Sequence, residues 1–198
     1  LGWPRIQIYT KFDYPLSEQE LKDCRELVRR RSTGEPIAYI LGQKDFYKLT
    51  FGVESGVLIP RPETELLVER VLELVADPKN GLHFADLGCG SGCIGLSLLH
   101  DLVSSTCEFV DLSAKAIEVS KRNSTKLNLD ARATFFQKDV VEYLSLGTKF
   151  DLIVANPPYI DPSDNEVEGM VRKFEPHEAL YSEDQGLFHL KSWGKAAL

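Results

Sequence analysis

Between residues 82 and 155 short apolar runs of strand length alternate with stretches of helical period, and that alternation leaves few folds open to the chain. Leu82 to Leu87, Glu108 to Val110, Thr134 to Phe136 and Phe150 to Ala155 read as buried strands, with helices at Ile94 to Leu102 and Ala114 to Leu127 between them. Strands joined through helices run parallel, because each crossover carries the chain back to the same end of the sheet. The expected fold class is α/β, a doubly wound, mostly parallel, Rossmann-like sheet.

The flanking segments are read from smaller signals. Ser17 and Glu20 form an S-x-x-E capping box before a helical pattern of Leu16, Leu21, Leu27 and Val28, so residues 1–42 are expected to be the remnant of an N-terminal helical appendage. The runs Phe46 to Phe51 and Val57 to Ile59, parted by Gly52 and Gly56, predict a linking β-hairpin over 43–60. Residues 61–198 then form the sheet domain, entered through a helix at Leu66, Leu67, Val71, Leu74 and Val75 with Pro62 in its first turn, and an Asn80-Gly81 turn. The chain stops inside a helical pattern, Leu187 to Leu198, that ought to lead to another strand, so the expected domain is incomplete at its C-terminal end.

Asp86-Leu-Gly88-Cys89-Gly90-Ser91-Gly92 ends the first strand and opens a helix, where bare backbone can approach a ligand at the helix N-terminus. Gly90, Gly92 and Gly95 also satisfy G-x-G-x-x-G with Asp111 about 20 residues on, so a dinucleotide site competes. A carboxylate at Asp111 would accept ribose hydroxyls of either cofactor. Asp86 favours the other class: beside the glycines it repels a pyrophosphate and attracts the ammonium of a methionine moiety, unless it merely caps the loop.

Composition narrows the field. A net charge of −7 gives no electrostatic footprint for nucleic acid, and the basic run Arg25, Arg29, Arg30 and Arg31 reads as a solvated helix face. Cys24, Cys89, Cys93 and Cys107 make no C-x-x-C pair, and His83 and His100 complete no zinc set, so no metal is expected. With no signal-like or membrane-length apolar run, reduced thiols point to a cytoplasmic protein and no membrane partner.

The run Phe150 to Ala155 delivers Asn156-Pro157-Pro158-Tyr159 at its carboxyl end. Two prolines cannot donate ladder hydrogen bonds, so the backbone leaves the sheet and its carbonyls become free acceptors. A planar NH2 has two donors; the Asn156 side-chain oxygen and the Pro157 carbonyl take one each, and Tyr159 packs on the flat face. An ordinary Asn-Pro turn is the plain alternative.

With these residues in view, the chain resembles the release factor glutamine methyltransferases, PrmC/HemK-like class I S-adenosylmethionine enzymes. The resemblance rests on Asp86 to Gly92, Asn156 to Tyr159, Ile59-Pro-Arg-Pro-Glu-Thr-Glu65 and Arg172-Lys-Phe-Glu-Pro-His-Glu-Ala-Leu180. It implies a seven-stranded sheet with an N-terminal helical domain that docks substrate, N5-methylation of a glutamine in a class I peptide chain release factor, and S-adenosyl-L-homocysteine as product; a monomer is expected apart from the resemblance. It also implies roles: Asp86 and Gly88 to Gly92 (with Cys89 and Ser91) around the methionine part, Asp111 on the ribose, Asp139 and Val140 at the adenine edge, Asn156 facing cofactor and substrate, Asn156, Pro157, Pro158 and Tyr159 on the glutamine, and Phe46, Arg61 and Glu63 in the pocket wall. Alternatives are a ribosomal-protein glutamine, an exocyclic amine of a nucleic-acid base, a dinucleotide oxidoreductase, or a catalytically silent interaction module.

Overall fold

A computed structural model describes residues 3–75, 80–164 and 169–198. Two helices, α1 (Arg5–Thr10) and α2 (Glu18–Ser32), lead through α3 (Ile37–Leu41) into a hairpin of β1 (Gln43–Phe46) and β2 (Leu49–Gly52). After a 3-10 turn at Pro62–Thr64 comes α4 (Glu65–Leu74), then β3 (His83–Leu87), α5 (Cys93–Asp101), β4 (Thr106–Asp111), α6 (Ala114–Lys126), β5 (Ala133–Gln137), α7 (Val140–Leu144), β6 (Leu152–Ala155), α8 (Gly169–Phe174) and α9 (Phe188–Ala197). No helix among the described residues is long and apolar enough to cross a membrane.

The sheet order is β5-β4-β3-β6, every pair parallel, as the alternation of strands and helices requires. Side chains alternate across it. Phe84, Cys107, Phe109 and Val154 face a core shared with α4, α5, α6 and the hairpin, while Ala85, Leu87 and Val110 face a smaller core with Val140, Tyr143 and Trp193. This period of two, with both faces covered, defines a doubly wound sheet.

One expectation needs correction. The hairpin closes inside the run 43–52, with Phe46 opposite Leu49 and Tyr47 at φ 55, whereas Val57 to Ile59 form no strand. Tyr47 is a bulky residue in the left-handed region, so composition gave no turn signal there. The capping box does start α2, Ser17 and Glu20 each accepting from the other's backbone N–H, yet no α2 residue is buried: Leu21, Leu27 and Val28 are exposed. In α4 the buried positions are Val68 and Val71, with Leu66 and Leu74 turned outward.

Asn123 on α6 fastens the hairpin to the loop after β3. Its Oδ1 accepts from the Gly52 N–H at 2.7 Å, and its Nδ2 donates to the carbonyls of Gly52 at 3.1 Å and Ser91 at 2.9 Å. Replacing the side chain strands these backbone groups in a site only 2% exposed. Asn123→Ala should therefore cost on the order of 2–3 kcal/mol in urea unfolding; a loss below about 0.5 kcal/mol would mean that water replaces the amide freely.

Candidate active site

The carboxyl ends of β3, β4, β5 and β6 open onto one cavity of about 380 Å³, within the size range of small-molecule sites. The floor is the loop Gly88 to Ser91. Gly88 and Gly90 have φ of 68 and 55, which side chains rarely adopt, and a Cβ on Gly88 would lie 2.7 Å from the Trp193 ring. Gly90 has nothing within 4 Å of a Cβ position, so its bare backbone stands open. The N–H groups of Gly88 and Cys89 are tied to the Val110 carbonyl at 2.8 and 3.1 Å, which fixes the loop to the tip of β4.

Asp111 ends β4 and lines the cavity. Its Oδ2 accepts from the Gly90 N–H and its Oδ1 from the Ser113 N–H, both at 2.9 Å. Each oxygen keeps a second lone pair, so the carboxylate can still receive a pair of hydroxyls. Burial raises its pKa, with those two bonds opposing. Asp139 and Val140 line the cavity beyond β5; Asp139 also caps α7, Oδ1 accepting from Val141 and Glu142 at 2.9 and 3.0 Å.

Asp86 lies beneath this floor rather than in the wall, fully buried. Oδ2 accepts from the Gly95 N–H at 2.8 Å, so part of its use is the loop cap that the sequence allowed; Oδ1 has no partner. Burial pushes this carboxyl up to about 7, against the Gly95 bond and with help from the Asp111 charge.

Asn156 and Pro158 line the same cavity, at the end of β6. A strap holds them: the Ile160 N–H donates to Leu180 O at 3.0 Å and the Ser182 N–H to Ile160 O at 2.8 Å, a parallel bridge that docks the tetrapeptide exit onto residues 180–182. Among the described residues the Asn156 side chain makes no hydrogen bond, and no donor reaches the Pro157 carbonyl.

Arg61 also lines the cavity, whereas Phe46, Glu63, Pro157, Tyr159 and Gly92, like Asp86, do not. Phe46 is 1% exposed in the core beside Phe51, held there by the hairpin's inward face. Glu63 is exposed on the 3-10 turn, and the Pro157 ring and the 67% exposed Tyr159 stand outside the lining. Gly92 acts as the left-handed cap before α5, behind the floor.

Sequence reasoning missed a whole wall: Glu178, Tyr181, His189 and Trp193. His189 and Trp193 are four apart on α9, a spacing that signals a shared helix face, and their rings meet edge to face at 5.7 Å. No strand followed to say which way that face points. Among the described residues no group of three or more His, Cys, Asp or Glu is arranged to hold a metal.

Comparison with known proteins assigns the chain. Residues 62–180 match the family model "Methyltransferase small domain" and residues 1–42 match "PrmC N-terminal domain". A release factor glutamine methyltransferase from Aliivibrio fischeri is 40% identical over 202 residues, an alignment covering 100% of this chain and 70% of the relative. The chain belongs to the release factor glutamine methyltransferase family. Two other family members, from Geobacter sulfurreducens and Rhodopirellula baltica, are 42% and 38% identical over 94% and 93% of this chain. The chain spans 64% of the length of each of these two.

Asp86 gives a pH test that needs no ligand. Its folded pKa lies above the unfolded value of about 3.9, so its stability contribution is complete below about pH 4, is lost as pH rises toward 7, and changes no further above that. Asp86→Asn keeps an oxygen for Gly95 and removes the buried charge. Unfolding by urea should show the variant gaining on the native chain across that window, by on the order of 1–3 kcal/mol at pH 8; equal stability at every pH would contradict the assignment.

Proposed function

We propose that this site transfers a methyl group to the side-chain nitrogen of a glutamine in a peptide chain release factor, with S-adenosylmethionine as methyl donor and S-adenosylhomocysteine as product. One observation carries the reading: the unpaired amide of Asn156 opens on the same cavity as the glycine floor and Asp111. The name shared by relatives at 38–42% identity supplies the substrate.

The lining fits the donor. Its acidic side chains are Asp111, Asp139 and Glu178, against Arg61 as its one Lys or Arg among the described residues, a balance that suits a cation and opposes a pyrophosphate. Asp111 receives the ribose, Asp139 and Val140 border the adenine, and the open backbone of Gly88 to Ser91 follows the methionine chain. The orphan Oδ1 of Asp86, under that floor, supplies the negative potential that attracts its ammonium. When bound, this donor presents an electrophilic methyl on a sulfonium sulfur.

Asn156 Oδ1 and the Pro157 carbonyl accept the two amide protons of the glutamine and point its nitrogen at that methyl. An amide nitrogen is a poor nucleophile because its lone pair is delocalised; placement and acceptors for the charge it gains supply the catalysis. The nitrogen gains the methyl as the S–CH3 bond breaks with its electron pair left on sulfur, and it then sheds its proton to water, so no strong base is needed. The pairing asks for a planar NH2, whose flat face falls to Pro158, with Tyr159 beside it outside the lining. We place the reaction in a reducing, cytoplasm-like compartment, supported by four free thiols, and in a monomer.

Incubation with methyl-labelled S-adenosylmethionine and release factor should label a glutamine, while DNA, RNA and ribosomal protein stay unlabelled. Asn156→Ala should lower the rate at least about 100-fold, the scale for losing one aligned acceptor or donor in a transition state, with donor affinity largely retained. Label on nucleic acid, or turnover in the variant near the native rate, would overturn the reading.

A further inference from the structure

We infer that Glu175 is a positioning residue for substrate: acting through Arg61, it sets the wall of the cavity against which the glutamine-bearing loop of the protein substrate docks, an inference that rests on the release factor reading. Glu175 touches neither the cavity nor the tetrapeptide. Its side chain is 2% exposed, with Oε2 accepting from the Ile59 N–H at 3.1 Å and Oε1 from the Arg61 guanidinium at 2.6 Å. Arg61 closes the ring by donating to the Ile59 carbonyl at 3.2 Å.

That ring joins positions 114 residues apart. On one side stand Ile59, Pro60 and Arg61, and on the other Pro176 and Glu178, all of them lining the cavity. Tyr39 and Phe174 pack beside it with Ile59 and Val53, so the ring sits on a small apolar base. An ion pair with one buried partner is a weak device for stability, because desolvation of the buried carboxylate offsets much of the attraction; what it does well is fix one geometry. Apolar side chains would have held the two segments together equally well, and a charged pair at this place is therefore explained by what the guanidinium presents.

Arg61 has five N–H donors in a planar fork. Ile59 and Glu175 engage two of them, and the rest lie on a side chain that is 34% exposed and borders the cavity. A fork held still in this way reads backbone carbonyls of an extended peptide. A free glutamine offers that fork only its one side-chain carbonyl, whereas an extended peptide offers a run of backbone carbonyls. Glu175 thus acts on how the substrate loop binds, and leaves the methyl transfer step to the floor and to β6.

The test compares Glu175→Gln, Arg61→Ala and the double variant with the native protein in hydrogen exchange and in steady-state kinetics. In Glu175→Gln the amides of residues 56–61 should exchange at least about tenfold faster while those of β3 stay protected. The KM for release factor should rise about tenfold, the scale of one charge-assisted hydrogen bond, with kcat and S-adenosylmethionine affinity within about twofold. Adding Glu175→Gln to Arg61→Ala should raise KM no further, and the double variant, which leaves no unpaired buried charge, keeps the comparison open if a single one folds poorly. A native KM in Glu175→Gln, exchange that quickens equally throughout the sheet, or effects that multiply in the double variant would overturn the inference. A native protein that binds S-adenosylmethionine and labels no release factor would instead sink the function on which it rests.

Discussion

All four strands of the sheet run the same way, and from that single constraint the site follows. In a parallel sheet every carboxyl end lies on one edge, so the loops after β3, β4, β5 and β6 open together however far apart they are in sequence. The Gly88 to Ser91 floor, Asp111, Asp139 with Val140, and Asn156 with Pro158 each leave a different strand and meet in one cavity. Backbone bonds hold this arrangement, such as Gly88 and Cys89 to Val110 at the tip of β4 and Ile160 to Leu180 on the exit from β6.

Charge in and beneath the cavity is arranged against this rigid frame. The fully buried Asp86 carries one oxygen with a partner and one without, a costly arrangement that an apolar core would never need. Asp111 spends one lone pair of each oxygen on holding the loop and keeps the others. The hydrogen bonds from Gly90 to Asp111 and from Gly95 to Asp86 tie the glycine-rich loop and the start of α5 to the tips of β4 and β3.

Much of this was legible in the sequence because sheet burial writes a plain pattern. The four strands and the helices at Cys93–Asp101 and Ala114–Lys126 lie where period and composition put them, and Asp86 to Gly92, Asp111 and Asn156 to Pro158 could be assigned to the carboxyl ends of their strands from the sequence, though not the order of those strands. The hairpin turn was illegible because Tyr47, not a glycine or asparagine, takes the left-handed position. Phe46 was placed in the wall by the resemblance alone, and the hairpin turns it into the core beside Phe51. The wall from Glu178 to Trp193 escaped because its direction is set by the strap at Ile160 and by α9 lying against α7, contacts with no local signature. Glu175 was visible as part of a motif, and its partnership with Arg61 was not, since nothing in either segment announces the other.

The central claim is that the glycine floor and the Asn156 acceptor serve one ligand pair within a single cavity. A crystal structure of the protein with S-adenosylhomocysteine and a glutamine-containing peptide tests it most directly. The account predicts the ribose on Asp111, the sulfur above Gly88 to Gly90, and the peptide's side-chain nitrogen within hydrogen-bond reach of Asn156 Oδ1 and the Pro157 carbonyl. A ribose bound away from Asp111, or a glutamine nitrogen held by other groups with Asn156 unengaged, would contradict it.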